Sequence, residues 1–136
     1  MNDASTARVL VADDHPVMLN GLRRVLENQP DFCVVADAAD GQEAVAGVLS
    51  HDIELAILDI SMPRKSGLEA AREILRLKPD VRVLLVSMHD EDEYIFEAIR
   101  LGAAGYVLKT AVDRELVDAC RAALRGDPFV HPSGGR

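Results

Sequence analysis

Five short runs rich in Val, Ile and Leu, spaced by stretches with helical periodicity, constrain this chain more than any other feature of its sequence. The runs are "RVLVA" (8–12), "FCVVA" (32–36), "ELAIL" (54–58), "VRVLLV" (81–86) and "GYVL" (105–108). The third and fourth are almost continuously apolar, the pattern of strands covered on both faces in a parallel sheet. After each run, apolar residues recur every three or four positions: Met18, Leu22, Val25 and Leu26; Val45, Val48 and Leu49; Leu68, Ala71, Ile74 and Leu75; Ile95, Ala98 and Ile99; Leu116, Cys120 and Leu124. Asp40 with Glu43, Ser66 with Glu69, and Asp90 with Glu93 fit capping boxes at helix starts, and Gly102 and Gly126 fit C-terminal stops. Five β–α units in succession predict a doubly wound α/β fold with right-handed crossovers around one parallel five-stranded sheet.

A chain of 136 residues suits a single domain, able to bury roughly 70% of the surface its unfolded form exposes. Such a core needs no disulfide, and Cys33 and Cys120, each in an apolar pattern, are expected as reduced core residues. No Cys/His cluster has zinc-ligand spacing. The net charge of −8, with no long basic stretch, argues against direct contact with DNA. No apolar run approaches the ~20 residues that span a bilayer, and "MNDASTAR" lacks the parts of a signal peptide, so a cytoplasmic protein is expected. The Pro- and Gly-rich end "GDPFVHPSGGR" (126–136) reads as a linker or frayed tail.

The acids carry the chemistry. Asp13 and Asp14 are adjacent and end the first strand; Asp59 ends the third, in "AILDISMP". Two charges about 4 Å apart repel by roughly 4 kcal/mol at an effective dielectric near 20. In an open α/β sheet, ligands bind where strand order reverses, beyond the carboxyl ends. With the order 2-1-3-4-5, strands one and three are neighbours and all three carboxylates meet. Magnesium would relieve their repulsion, because it takes carboxylate and water oxygens and works beside phosphates. Taken alone, Asp14 reads as a cap or turn residue, Ser87 as a turn residue and Lys109 as a surface lysine. Together, with Ser87 ending the fourth strand and Lys109 the fifth, they compose a metal, a hydroxyl donor and a fixed cation around a phosphoryl group.

With the motifs "DD" (13–14), "LDISMPRKSG" (58–67), "VSMH" (86–89) and "GYVLK" (105–109) in this order, the chain resembles the receiver domain of bacterial two-component response regulators. The segments "ADDHPVMLNGLRRVLE" and "ADAADGQEAV" are similar to the NarL/FixJ group, whose members carry a LuxR-type helix-turn-helix output. The resemblance implies a flavodoxin-like (βα)5 fold over 8–126, a short disordered extension over 1–7, and a linker or tail from 127 to 136, leading to an output domain or ending a single-domain receiver, with the first favoured by the subgroup. It implies that Asp59 is the phosphoacceptor, loaded by a sensor histidine kinase. Asp13, Asp14, Asp59 and the Ser61 carbonyl would hold Mg2+ or Mn2+, Asp13 through water. Ser87 and Lys109 would contact the phosphoryl group and Tyr106 would be the switch aromatic; read without the resemblance, Tyr106 is a half-buried strand residue with a wet hydroxyl. Ser61 and His89 would tune dephosphorylation, and His89 reads equally as an exposed turn residue. Dimerisation on phosphorylation, and DNA contact only through the output domain, are also implied. Thr110 stands where many receivers have proline, which leaves that loop's geometry open.

Two other classes of α/β protein fit the sequence less well. A haloacid-dehalogenase-type phosphohydrolase carries D-x-D after its first strand, whereas this chain has adjacent acids. A flavin carrier needs a Gly- or Ser/Thr-rich phosphate loop after the first strand, and none is present.

Overall fold

The computed structural model describes residues 6–131. Of the expected disordered extension over 1–7, residues 1–5 lie outside the described residues and Ala7 opens the first strand; of the expected tail over 126–136, residues 132–136 lie outside. Five strands and five helices alternate: β1 Ala7–Ala12, α1 Pro16–Glu27, β2 Phe32–Ala38, α2 Gly41–Ser50, β3 Leu55–Asp59, α3 Gly67–Leu77, β4 Arg82–Ser87, α4 Asp92–Leu101, β5 Gly105–Leu108 and α5 Val112–Arg125. The strands pair in parallel in the order β2-β1-β3-β4-β5. This is the doubly wound α/β sheet that the alternation predicts.

Strand residues alternate between two apolar layers. Leu10, Ala56, Leu58, Val83 and Leu85 face one, with α2, α3 and α4. Val9, Val11, Leu55, Ile57, Leu84 and Val86 face the other, with α1 and α5. Both faces are covered, so the runs are apolar at odd and even positions alike. Each fully buried aliphatic side chain contributes about 1.5–3 kcal/mol through removal from water.

The helix ends differ from expectation in places. Ser66 and Glu69 form the full reciprocal box. Asp40 accepts from the Glu43 amide, but the Glu43 carboxylate reaches back to the Ala39 amide instead. Asp90 does not cap α4: Glu91 occupies the N-cap position without a side-chain hydrogen bond. Four consecutive acids, 90–93, made that start degenerate in the sequence. Gly102 and Gly126 terminate α4 and α5 in the left-handed conformation. Leu49 and Ile99, read as core-facing, are exposed at the edges of their stripes, and Cys33 is only half-buried on the edge strand β2.

Beyond α5 the chain turns back along β5. The Val130 amide donates to the Ala104 carbonyl (3.0 Å), and the Tyr106 amide donates to the Val130 carbonyl (2.8 Å). A Cβ at Gly105 would press within 2.7 Å of the Val130 oxygen, so glycine there leaves room for this added pairing.

Candidate functional site

The parallel order places every carboxyl end on one side of the sheet. Asp13 follows β1, Asp59 closes β3, Ser87 closes β4 and Lys109 follows β5. Asp13, Asp59 and Ser87 retain 1%, 2% and 1% of their exposure. Polar groups buried to this extent are costly unless they are paired or perform chemistry.

Lys109 is the cation among them. Its Nζ lies 3.1 Å from Asp13 Oδ2 and 3.1 Å from Asp59 Oδ2. These are close ion pairs without hydrogen-bond alignment, since both carboxylate oxygens lack a hydrogen-bond partner, as does Asp14 Oδ1. The remaining oxygens are held by backbone: the His15 amide donates to Asp13 Oδ1 (2.9 Å), and the Ser61 amide donates to Asp59 Oδ1 (3.2 Å). One ammonium thus serves two buried carboxylates. Burial and then the Asp13 charge push the Asp59 pKa up, against the opposing pull of Lys109. For Lys109, burial works against the charge, but its contacts with Asp13 and Asp59 outweigh it and raise the pKa.

Three carboxylates that each keep an oxygen without a hydrogen bond are a donor set suited to a hard divalent cation. Ligand atoms of Asp13, Asp14, His15 and Asp59 lie within 4.8 Å of one another. The acids that the sequence reading groups together therefore do converge, and they could hold a metal. His15 was not foreseen in this cluster. Its only signal is its place between the acid pair and Pro16.

The loop after β3 is shaped by tight backbone approaches. The Lys65 amide donates to the Pro63 carbonyl (2.7 Å), and Arg64 between them has φ 66°, a left-handed conformation uncommon for a side-chain-bearing residue. Gly67 permits this loop to fold onto Asp59, because a Cβ there would overlap the Asp59 carbonyl. Gly41 likewise makes room for the Lys65 carbonyl. Arg64 Nε donates to Asp40 Oδ2 (2.7 Å), which ties the loop to the start of α2. The Asp40–Arg64 tie is a second feature that the sequence reading missed.

Ser87 Oγ accepts from the His89 amide (2.9 Å). Tyr106 is fully buried, not half-buried, and its hydroxyl is dry: it donates to the His89 carbonyl (2.7 Å). Burial is the main cause that raises its pKa, and Ser87 is a smaller opposing contact. His89 itself is partly exposed, stacked on Tyr94 with ring centroids 4.8 Å apart, and 3.5 Å from Glu91. Lys109–Ala111 form a 3-10 turn that leads into α5, which is the loop left open by Thr110.

A cleft of about 710 Å³ opens at the opposite end of the sheet, beside His51, Glu54, Leu77, Arg82 and Leu124. It contains none of these residues of the acidic cluster. Among the described residues, no helix is long and apolar enough to cross a membrane.

Residues 9–121 match the family described as the response regulator receiver domain. Among curated proteins, the chain is 42% identical over 126 residues to the oxygen regulatory protein NreC of Staphylococcus carnosus, covering 92% of this chain and 58% of NreC. It is 36% identical over 125 residues to the transcriptional regulatory protein DegU of Brevibacillus brevis, covering 92% and 53%. Among solved structures, a LuxR-family two-component response regulator from Aurantimonas sp. superposes with a TM-score of 0.89 at 36% identity, over 95% of this chain and 92% of that one. The response regulator domain of Thermotoga maritima CheB gives 0.83 at 33%, over 90% and 99%. The chain spans little more than half the length of the curated relatives it matches.

Proposed function

Because the chain belongs to the response regulator receiver domain family, in its NarL/LuxR branch, we propose that Asp59 is its phosphoacceptor and that a sensor histidine kinase is the donor. The observation that carries this reading is the Asp59 carboxylate, buried to 2%, with Oδ2 lacking a hydrogen bond and Lys109 Nζ 3.1 Å away. An oxygen held in this way is free to form a new bond, and its counter-ion is already in place.

In the transfer, an Asp59 carboxylate oxygen attacks phosphorus in line. The P–N bond to the donor imidazole breaks, its electron pair stays with the nitrogen, and an acyl phosphate forms on Asp59. Lys109 neutralises charge on the phosphoryl oxygens and Ser87 donates its hydroxyl to one of them. Asp13, Asp14, Asp59 and the Ser61 carbonyl would hold Mg2+ or Mn2+, Asp13 through water, and the ion would neutralise the acids and the charge that builds up on the transferred group. Ser61 and His89 flank the acyl phosphate and tune its hydrolysis, the only turnover assigned to this domain.

The added group carries about −1.5 to −2 charge. As Ser87 moves toward it, the bond from Tyr106 to the His89 carbonyl is perturbed, and the Tyr106 side chain biases a pre-existing equilibrium between two forms of the α4–β5–α5 surface. The readout is dimerisation and release or engagement of a DNA-binding output domain joined through the linker at 127–136, in the cytoplasm. Incubation with acetyl phosphate and Mg2+ tests the central step: the wild-type chain gains one phosphoryl mass and Asp59→Asn gains none. Undiminished labelling of Asp59→Asn would refute the assignment.

A further inference from the structure

We propose that His15 is a nitrogen donor to the cation seat and shifts its preference from Mg2+ toward imidazole-binding first-row cations, with Mn2+ as the probe; the inference rests on the acidic cluster being the metal site of the proposed phosphotransfer. His15 Nδ1 lies 3.2 Å from Asp14 Oδ1 and 3.4 Å from Asp13 Oδ1. Neither contact is aligned as a hydrogen bond, and Asp14 Oδ1 has no hydrogen-bond partner at all. With the ring proton on Nε2, Nδ1 would stand beside Asp14 Oδ1 at a separation close to that of neighbouring corners of a coordination shell. Adjacent donors of an octahedral Mg2+ shell stand about 2.9 Å apart and opposite ones about 4.2 Å. The four-residue cluster, with donor atoms within 4.8 Å, matches a slightly expanded version of that shell.

The second, independent feature is burial. Asp13 and Asp59, 1% and 2% exposed, each keep an Oδ2 without a hydrogen bond, and both oxygens converge on Lys109 Nζ at 3.1 Å. The imidazole is brought to the acidic cluster by the backbone. Pro16 disfavours the helical conformation at the residue before it, and His15 sits extended at φ −101°, ψ 114° as the N-cap of α1. Its side chain is 70% exposed, so ligation at Nδ1 leaves the Nε2 proton in water and buries no new polar group. Mg2+ has little use for this nitrogen, because it takes oxygen ligands and keeps several waters. Mn2+ also favours oxygen, but accepts imidazole more readily.

The test uses the 136-residue chain with Mn2+ and Mg2+. Three-pulse electron spin-echo modulation of the Mn2+ form is expected to show a directly coupled 14N in wild type and none in His15→Ala or His15→Gln. Equilibrium titration is expected to show Mn2+ affinity falling by at least roughly 10-fold in both variants, the lower end of what loss of an outer-shell partner costs a metal site. Mg2+ affinity should change far less. Absence of the nitrogen coupling in wild type, its persistence in both variants, or an unchanged Mn2+-to-Mg2+ ratio would overturn the proposal. Acetyl-phosphate labelling separates the two readings: labelling that survives alongside those results leaves the phosphoacceptor assignment intact, and loss of wild-type labelling removes that assignment instead.

Discussion

Asp40 and Asp59 are both 2% exposed, yet they sit in opposite chemical situations. Asp40 Oδ1 accepts from the Glu43 amide (2.8 Å) and Oδ2 from Arg64 Nε (2.7 Å). Its pKa is lowered, first by the Glu43 amide and then by Arg64. Asp59 has one weak backbone donor, a like charge beside it and an unbonded oxygen, and its pKa is raised by burial and Asp13. Burial alone therefore does not separate structure from chemistry. What separates them is whether the surroundings satisfy the charge. Asp40 is fully provided for and holds a helix start. Asp59 shares a single lysine with Asp13 and still presents an oxygen without a hydrogen bond to an electrophile. The cleft at the amino ends of the strands makes a related point: its Asp52 and Glu54 are exposed enough to pair with Arg8, at 3.0 Å and 3.5 Å, and are not buried acids.

The largest expected effect tests this contrast directly. Asp40→Ala removes the cap of α2 and leaves Arg64 unpaired, and should cost about 2 kcal/mol. Asp59→Asn removes one of two buried like charges and should raise stability instead. Urea midpoints of the two variants should thus move in opposite directions. Destabilisation by Asp59→Asn would mean that its charge is satisfied after all. Acetyl-phosphate labelling should survive Asp40→Ala in whatever fraction remains folded.

Next in size is the pH dependence. Asp59 has a folded pKa above its unfolded value, so its folded form holds the proton more tightly. Its contribution to stability is fully present below the unfolded pKa, near 3.8, and is lost as pH rises through the raised folded value. Asp40 has a lowered folded pKa. Its contribution is present above the unfolded value and is lost as pH falls through the lowered one. The stability difference between Asp59→Asn and wild type should therefore widen in favour of the variant from pH 4 upward. The deficit of Asp40→Ala should shrink below pH 4. Chemical denaturation across this range reads both. Parallel curves for the two variants would erase the distinction drawn between the two carboxylates.

Much of this arrangement was legible in the sequence because it follows from period and position. Apolar runs at odd and even positions implied a two-sided parallel sheet, and acids at the ends of the first and third strands implied a shared crevice. What escaped depends on contacts distant in sequence or on degenerate signals. Arg64 meets Asp40 across 24 positions, and Val130 pairs with β5 through backbone groups that any residue carries. The start of α4 lies within a run of acids, any of which could have been its cap. His15 was visible as a residue but not as a neighbour of the seat, because only the extended turn before Pro16 sets where its ring goes.

Arg64 provides the smallest test and the sharpest one. Its left-handed backbone costs a side-chain-bearing residue roughly 1–2 kcal/mol, and glycine would not bear that cost. Its guanidinium is mostly exposed, so the pair with Asp40 contributes up to about 1 kcal/mol. Glycine also adds freedom to the unfolded chain, which offsets roughly 0.4–1 kcal/mol of the strain relief. These terms oppose one another, and Arg64→Gly should leave the urea midpoint nearly unchanged. Arg64→Ala keeps the strained backbone while losing the pair, and should fall below Arg64→Gly. If Arg64→Gly were instead strongly destabilising, Asp40 would depend on the ion pair rather than on the Glu43 amide. Asp40 would then be a second buried acid waiting for a cation, and the contrast with Asp59 would reduce to which of the two had already found one.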